Sequence, residues 1–316
     1  MSTPARVAAF VAGLALLFTA ATVAGGAVDP DVDDGSAEHG MESEESTMET
    51  HESIGTESGA VGGLASSQSG YRLVPAAMSA EPGPRERYRF TVLGPGGEPV
   101  TDYDVEHERR MHLIVVRRDF AGFQHVHPEL AADGTWTAEL DTTAPGTYRV
   151  FADFTVSGEG GGSMTLATDL SVPGPFEPRP LPMPERTASA GDGYEVAISS
   201  PEPEAGEATE TAFTVTRNGR PVDGVQPYLG ADGHLVVLRE GDLAFLHAHP
   251  LGEPGGTGPI VFDVDYPSAG AYRMFLQFRH RGEVHTAAFT ELVGGASPAT
   301  HQDEQGHNGN GADHAH

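Results

Sequence analysis

Residues 111–129 read MHLIVVRRDFAGFQHVHPE, and residues 233–251 read GHLVVLREGDLAFLHAHPL. Each stretch is two apolar runs around a short polar centre, the pattern of a β-hairpin. In the second, Gly241-Asp242 supplies a two-residue turn, because Gly tolerates positive φ. Counting outward from it, Leu238 faces Phe245, Val236 faces His247 and His234 faces His249. Side chains alternate along a strand, so His234, Val236, Leu238, Phe245, His247 and His249 share one face. The first stretch, turning at Asp119-Phe120, puts His112 opposite His127 with His125 adjacent, on a face shared with Ile114, Val116 and Phe123. The opposite face, through Arg117 and Gln124 or Arg239, reads as the polar one.

The repeat extends well beyond these hairpins. FTVLGPGGEPV (90–100) matches FTVTRNGRPV (213–222), and PGTYRVFADF (145–154) matches AGAYRMFLQF (269–278). Short alternating runs rich in Val, Phe, Tyr, Thr and Leu predict strands at 71–75, 87–93, 111–117, 123–127, 135–140, 147–155 and 164–172. About seven strands in about 100 residues, with no helical periodicity, indicate an all-β chain of two tandem immunoglobulin-like antiparallel β-sandwich domains. Their expected bounds are 70–174 and 192–295, joined by a Pro-rich linker over 175–191.

The flanks read differently. Arg6 precedes an uncharged run from Val7 to Val28, which is either a cleaved signal peptide ending near residue 27 or an uncleaved anchor. Either places the remainder outside the cytoplasm, secreted or at the cell surface. Residues 28–69 are acidic and poor in apolar side chains, and are expected to be disordered, as are residues 296–316. These segments carry scattered soft and imidazole donors: His39, Met41, Met48 and His51 in the first, His301, His307, His314 and His316 in the second. The chain has no Cys, which excludes disulfides, thiolate metal sites and a cupredoxin electron-transfer centre. All its basic residues are Arg, and the net charge of −28 excludes nucleic acid as a partner. It suits cations, or simply solubility.

Three imidazoles brought together on an apolar face repel one another when protonated and, when neutral, offer converging lone pairs. A divalent ion that prefers imidazole, copper or alternatively zinc, is the simplest partner. The expected ligands are His112, His125 and His127 in one unit and His234, His247 and His249 in the other, with His280 and His285 secondary. His107 stands upstream of the first set. Met111 points to the opposite face. The competing reading makes these histidines packing residues of a non-enzymatic surface interaction or adhesion protein. No nucleophile elbow, phosphate loop or paired-carboxylate context is present, so an enzyme is not expected.

Together, HLIVVRRDFAGFQHVHPE and GTYRVFADF resemble a group of exported bacterial proteins of undefined function, loosely grouped as secreted or heavy-metal-binding. The strand order and His placement are also similar to those of small exported copper-handling β-domains of the YtkA-like and CopC-like groups. That resemblance implies copper buffering, delivery or resistance, with the metal ion and a membrane metal transporter or cuproprotein as partners.

Overall fold

The computed structural model describes residues 61–158 and 160–295. Among them every regular element is a β-strand. The first domain holds β1 (Ser67–Gln68), β2 (Tyr71–Pro75), β3 (Glu86–Leu93), β4 (His112–Arg117), β5 (Gln124–Val126), β6 (Glu129–Leu130), β7 (Thr135–Leu140), β8 (Gly146–Val156) and β9 (Gly162–Val172). The second holds β10 (Thr187–Gly191), β11 (Tyr194–Ser199), β12 (Ala208–Arg217), β13 (Arg220–Pro221), β14 (His234–Arg239), β15 (Phe245–Leu246), β16 (Ala248–Leu251), β17 (Ile260–Asp265), β18 (Gly270–His280) and β19 (Glu283–Val293). The strands anticipated from alternation appear within a residue or two of their predicted bounds.

Each domain is a sandwich of two antiparallel sheets. In the first, β1-β2-β3-β7-β6 packs over β5-β4-β8-β9; in the second, β10-β11-β12-β17-β16 packs over β15-β14-β18-β19. Alternation sends Leu73, Phe90, Leu113, Trp136 and Val150 into the first core, and Val196, Phe213, Leu235, Phe262 and Met274 into the second. Both domains also bend the chain with a buried tyrosine: Tyr148 Oη donates to the Ala144 carbonyl at 2.7 Å, and Tyr272 Oη to that of Ser268 at 2.7 Å. This is the tyrosine corner of immunoglobulin-like sandwiches.

A third apolar cluster joins the domains. Ile114, Val116, Phe120 and Phe151 of the first pack against Val236, Leu238, Phe245 and Phe275 of the second, and the Phe123 ring stacks on Phe275 at 4.1 Å. The two central four-stranded sheets therefore face each other, and β4 is buried along its whole length. This corrects the expectation of one polar and one apolar face. Arg117 and Gln124 are polar only near the turn end, whereas Leu113 and Val115 fill the domain's own core. The face with the histidines is the one between domains.

Ordered structure begins before residue 70, contrary to the expected boundary. Val61–Ala65 forms a strap along the seam of the two sheets. Gly62 N donates to Phe245 O at 3.1 Å, Phe245 N to Gly62 O at 3.0 Å, and Gly63 N to Thr165 O at 2.8 Å. Gly63 has φ +70, and a Cβ there would lie 2.4 Å from Phe151 Cδ1, so only glycine passes. The second domain likewise begins with β10 at Thr187, inside the expected linker. The N-terminal apolar run and the donors His39, Met41, Met48, His51, His301, His307, His314 and His316 lie outside the described residues.

Candidate metal centre

Both hairpins adopt the register read from the sequence. Leu113 pairs with Val126 and Ile114 with His125, while Val237 pairs with Leu246 and Leu238 with Phe245. His112 therefore stands across from His127 at the end of the first hairpin, away from the turn. Beyond Leu246 the second hairpin departs from this plan. Its return strand leaves the sheet, and β16 joins the other sheet of its domain, pairing His249 with Asp263.

That departure breaks the symmetry of the duplication. His249 is exposed on the other sheet, and His247 is also exposed. His247 Nε2 sits 3.2 Å from Thr165 Oγ1 and 3.9 Å from Asp153 Oδ1, both in the first domain. The expected triad of His234, His247 and His249 is thus not assembled. His234 instead crosses the seam: its ring lies 5.5 Å from that of His112, nearly parallel, and 4.8 Å from that of His125. One ring nitrogen each from His112, His125 and His234 falls within 4.8 Å of the others. His127 completes the group, its ring 5.1 Å from His112 and 4.9 Å from His125. The result is one centre shared by two domains, where the sequence suggested two separate ones.

Hydrogen bonds orient the rings within it. His112 Nε2 contacts the Glu106 carbonyl at 3.2 Å; a carbonyl only accepts, so the proton is on Nε2 and Nδ1 shows its lone pair. His125 Nδ1 donates to Gln277 Oε1 at 2.7 Å, and the Gln277 amide nitrogen turns to Thr286 Oγ1 at 3.4 Å. With the Gln277 oxygen in this position His125 Nε2 shows its lone pair; with the amide turned over, Nε2 carries the proton and donates to His112 Nδ1. These two nitrogens lie 2.9 Å apart, a hydrogen bond when one of them carries a proton and, when neither does, two donors aimed at one point. Neither ring readily takes a second proton: burial, then the neighbouring His112, lowers His125 to a pKa of about 3. Burial first and the adjacent imidazoles second also lower His127 to about 4 and hold His234 well below the ordinary range. Burial depresses His112 too, against the opposing pull of the Glu106 carbonyl and the Asp153 carboxylate. His127 Nε2 is buried without a hydrogen-bond partner. All four rings are kept neutral, as metal ligation requires.

The secondary candidates belong elsewhere. Tyr194 Oη donates to His280 Nδ1 at 2.6 Å, and the His285 ring lies against Tyr194 at 4.0 Å. Both sit at the edge of the second domain's own core, away from the seam. Met111 is buried in the first core, as alternation implied.

The comparisons with known proteins identify the lineage. A family model described as a domain of unknown function (DUF8832) matches residues 66–172 and 187–295. The chain belongs to this family. It carries two DUF8832 domains, and the second match begins at β10, as the structure does. The family model carries no tie to the copper-handling groups. No curated protein sequence matches the chain. Among solved structures the chain is similar to the Escherichia coli adhesin FdeC, at 17% identity over 73% of this chain and 65% of that one, TM-score 0.25. It is similar to InvD of Yersinia pseudotuberculosis at 16% identity over 75% and 61%, TM-score 0.25. Invasin, a bacterial integrin-binding protein, aligns at 12% identity over 71% and 38%, TM-score 0.22. The chain spans less than two-thirds of each of these.

Within the two DUF8832 domains, sequence reasoning missed the groups that orient the imidazoles. Gln277 occupies the place in RMFLQF that Asp153 holds in RVFADF. Each is the cross-strand neighbour of a cluster histidine: Asp153 of His112, Gln277 of His234. The repeat alignment was the available signal, since both matching positions put a polar residue between the apolar pairs Phe151-Ala152 and Phe275-Leu276 and the aromatic Phe154 and Phe278. Glu106 acts through its backbone, which no residue-type pattern reveals.

Proposed function

We propose that this protein is an extracytoplasmic metal-binding protein that holds one transition-metal ion between its two domains. The ligands are His112 and His125, His127 beside them, and His234 from the second domain. The observation that carries the reading is the convergence of ring nitrogens of His112, His125 and His234 within 4.8 Å of one another, with His112 Nδ1 and His125 Nε2 2.9 Å apart. His127 Nε2 beside them is buried without a hydrogen-bond partner, which is costly, and a bound cation would offset that cost. The outward hydrogen bonds to the Glu106 carbonyl and Gln277 match the outer partners that orient metal-bound histidines.

Copper, or alternatively zinc, suits an all-imidazole set. Buffering, delivery or resistance would follow, with an extracytoplasmic transporter or cuproprotein as donor or acceptor. A second reading, a surface interaction protein with structural histidines, is favoured by the tandem immunoglobulin-like domains, a common scaffold for non-enzymatic contacts.

Calorimetric titration of the full chain with Cu(II) and Zn(II) tests the proposal. The wild type should show one site more than the His112→Ala/His234→Ala variant, which keeps every histidine outside the seam. Identical isotherms would remove the seam from metal chemistry and leave the surface reading.

A further inference from the structure

His107 lies over this centre, and the way the chain holds it calls for a cause. Glu106 N donates to Arg109 O at 2.8 Å and Arg109 N to Glu106 O at 2.9 Å, closing a tight two-residue turn. The turn residues His107 and Glu108 have φ +46 and +65, a type I′ turn. Such turns are built from Asn, Asp and Gly, because a side chain at positive φ is strained. Here the chain accepts two non-glycine residues in that conformation, and the turn sits directly at the histidines. The His107 ring is edge-on to both His112 and His234, at 6.1 and 5.9 Å between centroids. Unlike the rings beneath it, His107 is exposed. The carbonyl that fixes the His112 proton belongs to Glu106, the first residue of the same turn.

We infer that His107 is the exchange ligand of the proposed metal centre: an exposed imidazole that captures the ion from solvent or from a donor and passes it to the buried nitrogens. The inference rests on the metal reading above. Chemically, a buried site loses or gains its ion fastest when one ligand reaches solvent and replaces water or a donor group one bond at a time. His112, His125 and His234 are rooted in strands or strand ends whose partners surround them, so they cannot swing outward. His107 alone of the group stands on a turn, spans rings from both domains and is open to solvent. Its turn also couples capture to orientation: movement of His107 displaces the Glu106 carbonyl and with it the His112 proton.

The test is the rate of metal transfer in the full chain. Stopped-flow Cu(II) loading, and removal by EDTA, are measured for the wild type and for His107→Asn, with the His112→Ala/His234→Ala signal subtracted to isolate the seam. Asn tolerates positive φ, so the turn persists without the imidazole. Both rates should fall about tenfold, the scale on which one lost supporting partner alters a metal site, while the equilibrium affinity changes far less. Unchanged rates in a variant whose wild type binds would overturn this assignment alone. An affinity loss as large as that of His112→Ala would also overturn it, making His107 a permanent ligand. A wild type that takes up no Cu(II) at the seam overturns both this assignment and the metal reading beneath it.

Discussion

Substituting His234→Ala removes the one imidazole that the second domain contributes to the centre, so its effect separates a shared metal site from a histidine-lined seam. Among the described residues the His234 ring makes no hydrogen bond; it stacks on His112 at 5.5 Å and tilts against His125 at 4.8 Å. Without metal, its loss should cost only about 1 kcal/mol of packing. With metal at a hundredfold its dissociation constant, the wild type gains about 2.7 kcal/mol. For a chain of this size that is a rise in Tm of roughly 5–10 °C. Losing a ligand should weaken the site about 100-fold, at least as much as losing a strong outer partner. At the same metal concentration the variant then gains only about 0.4 kcal/mol, about 1 °C. Differential scanning fluorimetry of both proteins, with and without Cu(II), reads the difference directly. An equal rise in wild type and variant would refute the reasoning, because the ion would then sit where His234 does not reach.

Acid should weaken the metal-free fold. His125 is lowered to about 3, and His234 well below its ordinary value, so below about pH 6.5 the unfolded chain takes up protons that the folded chain refuses. The stability present above that pH is lost as pH falls, by about 1.4 kcal/mol per unit for each such histidine. For His125 between pH 6 and 4.5 that makes about 2 kcal/mol, and His234 acts in the same direction. Urea midpoints that stay level across this range would contradict the burial of neutral imidazoles. At the strap, Gly63→Ala places a Cβ 2.4 Å from Phe151 Cδ1 at φ +70, and should cost roughly 2–4 kcal/mol through overpacking and backbone strain. A loss below about 1 kcal/mol in urea unfolding would show that the strap does not hold the seam.

Much of the centre was legible because strand alternation is a local rule. The offset that sets His112 opposite His127, with Ile114 opposite His125, follows from counting outward from a turn, and the structure keeps that count in both hairpins. Met111, one residue from His112, fell on the other face by the same rule and lies in the core. Alternation could not say what the histidine face meets. Ile114 and Val116 are as apolar as Leu113 and Val115, and only one pair packs within its own domain.

The sequence by itself determined two β-sandwiches, their strands and the register that gathers the first set of histidines, since each depends on period-two patterning and turn residues close in the chain. Tertiary structure alone decided that the two sheets bury their apolar faces against each other and bring His234 to His112 and His125. It also decided that the second return strand crosses to the opposite sheet, carrying His249 with it. Those outcomes depend on which apolar surface finds which partner across about 120 residues of chain. Two similar hairpins therefore produced one centre, because only the packed pair of domains could choose which histidines meet.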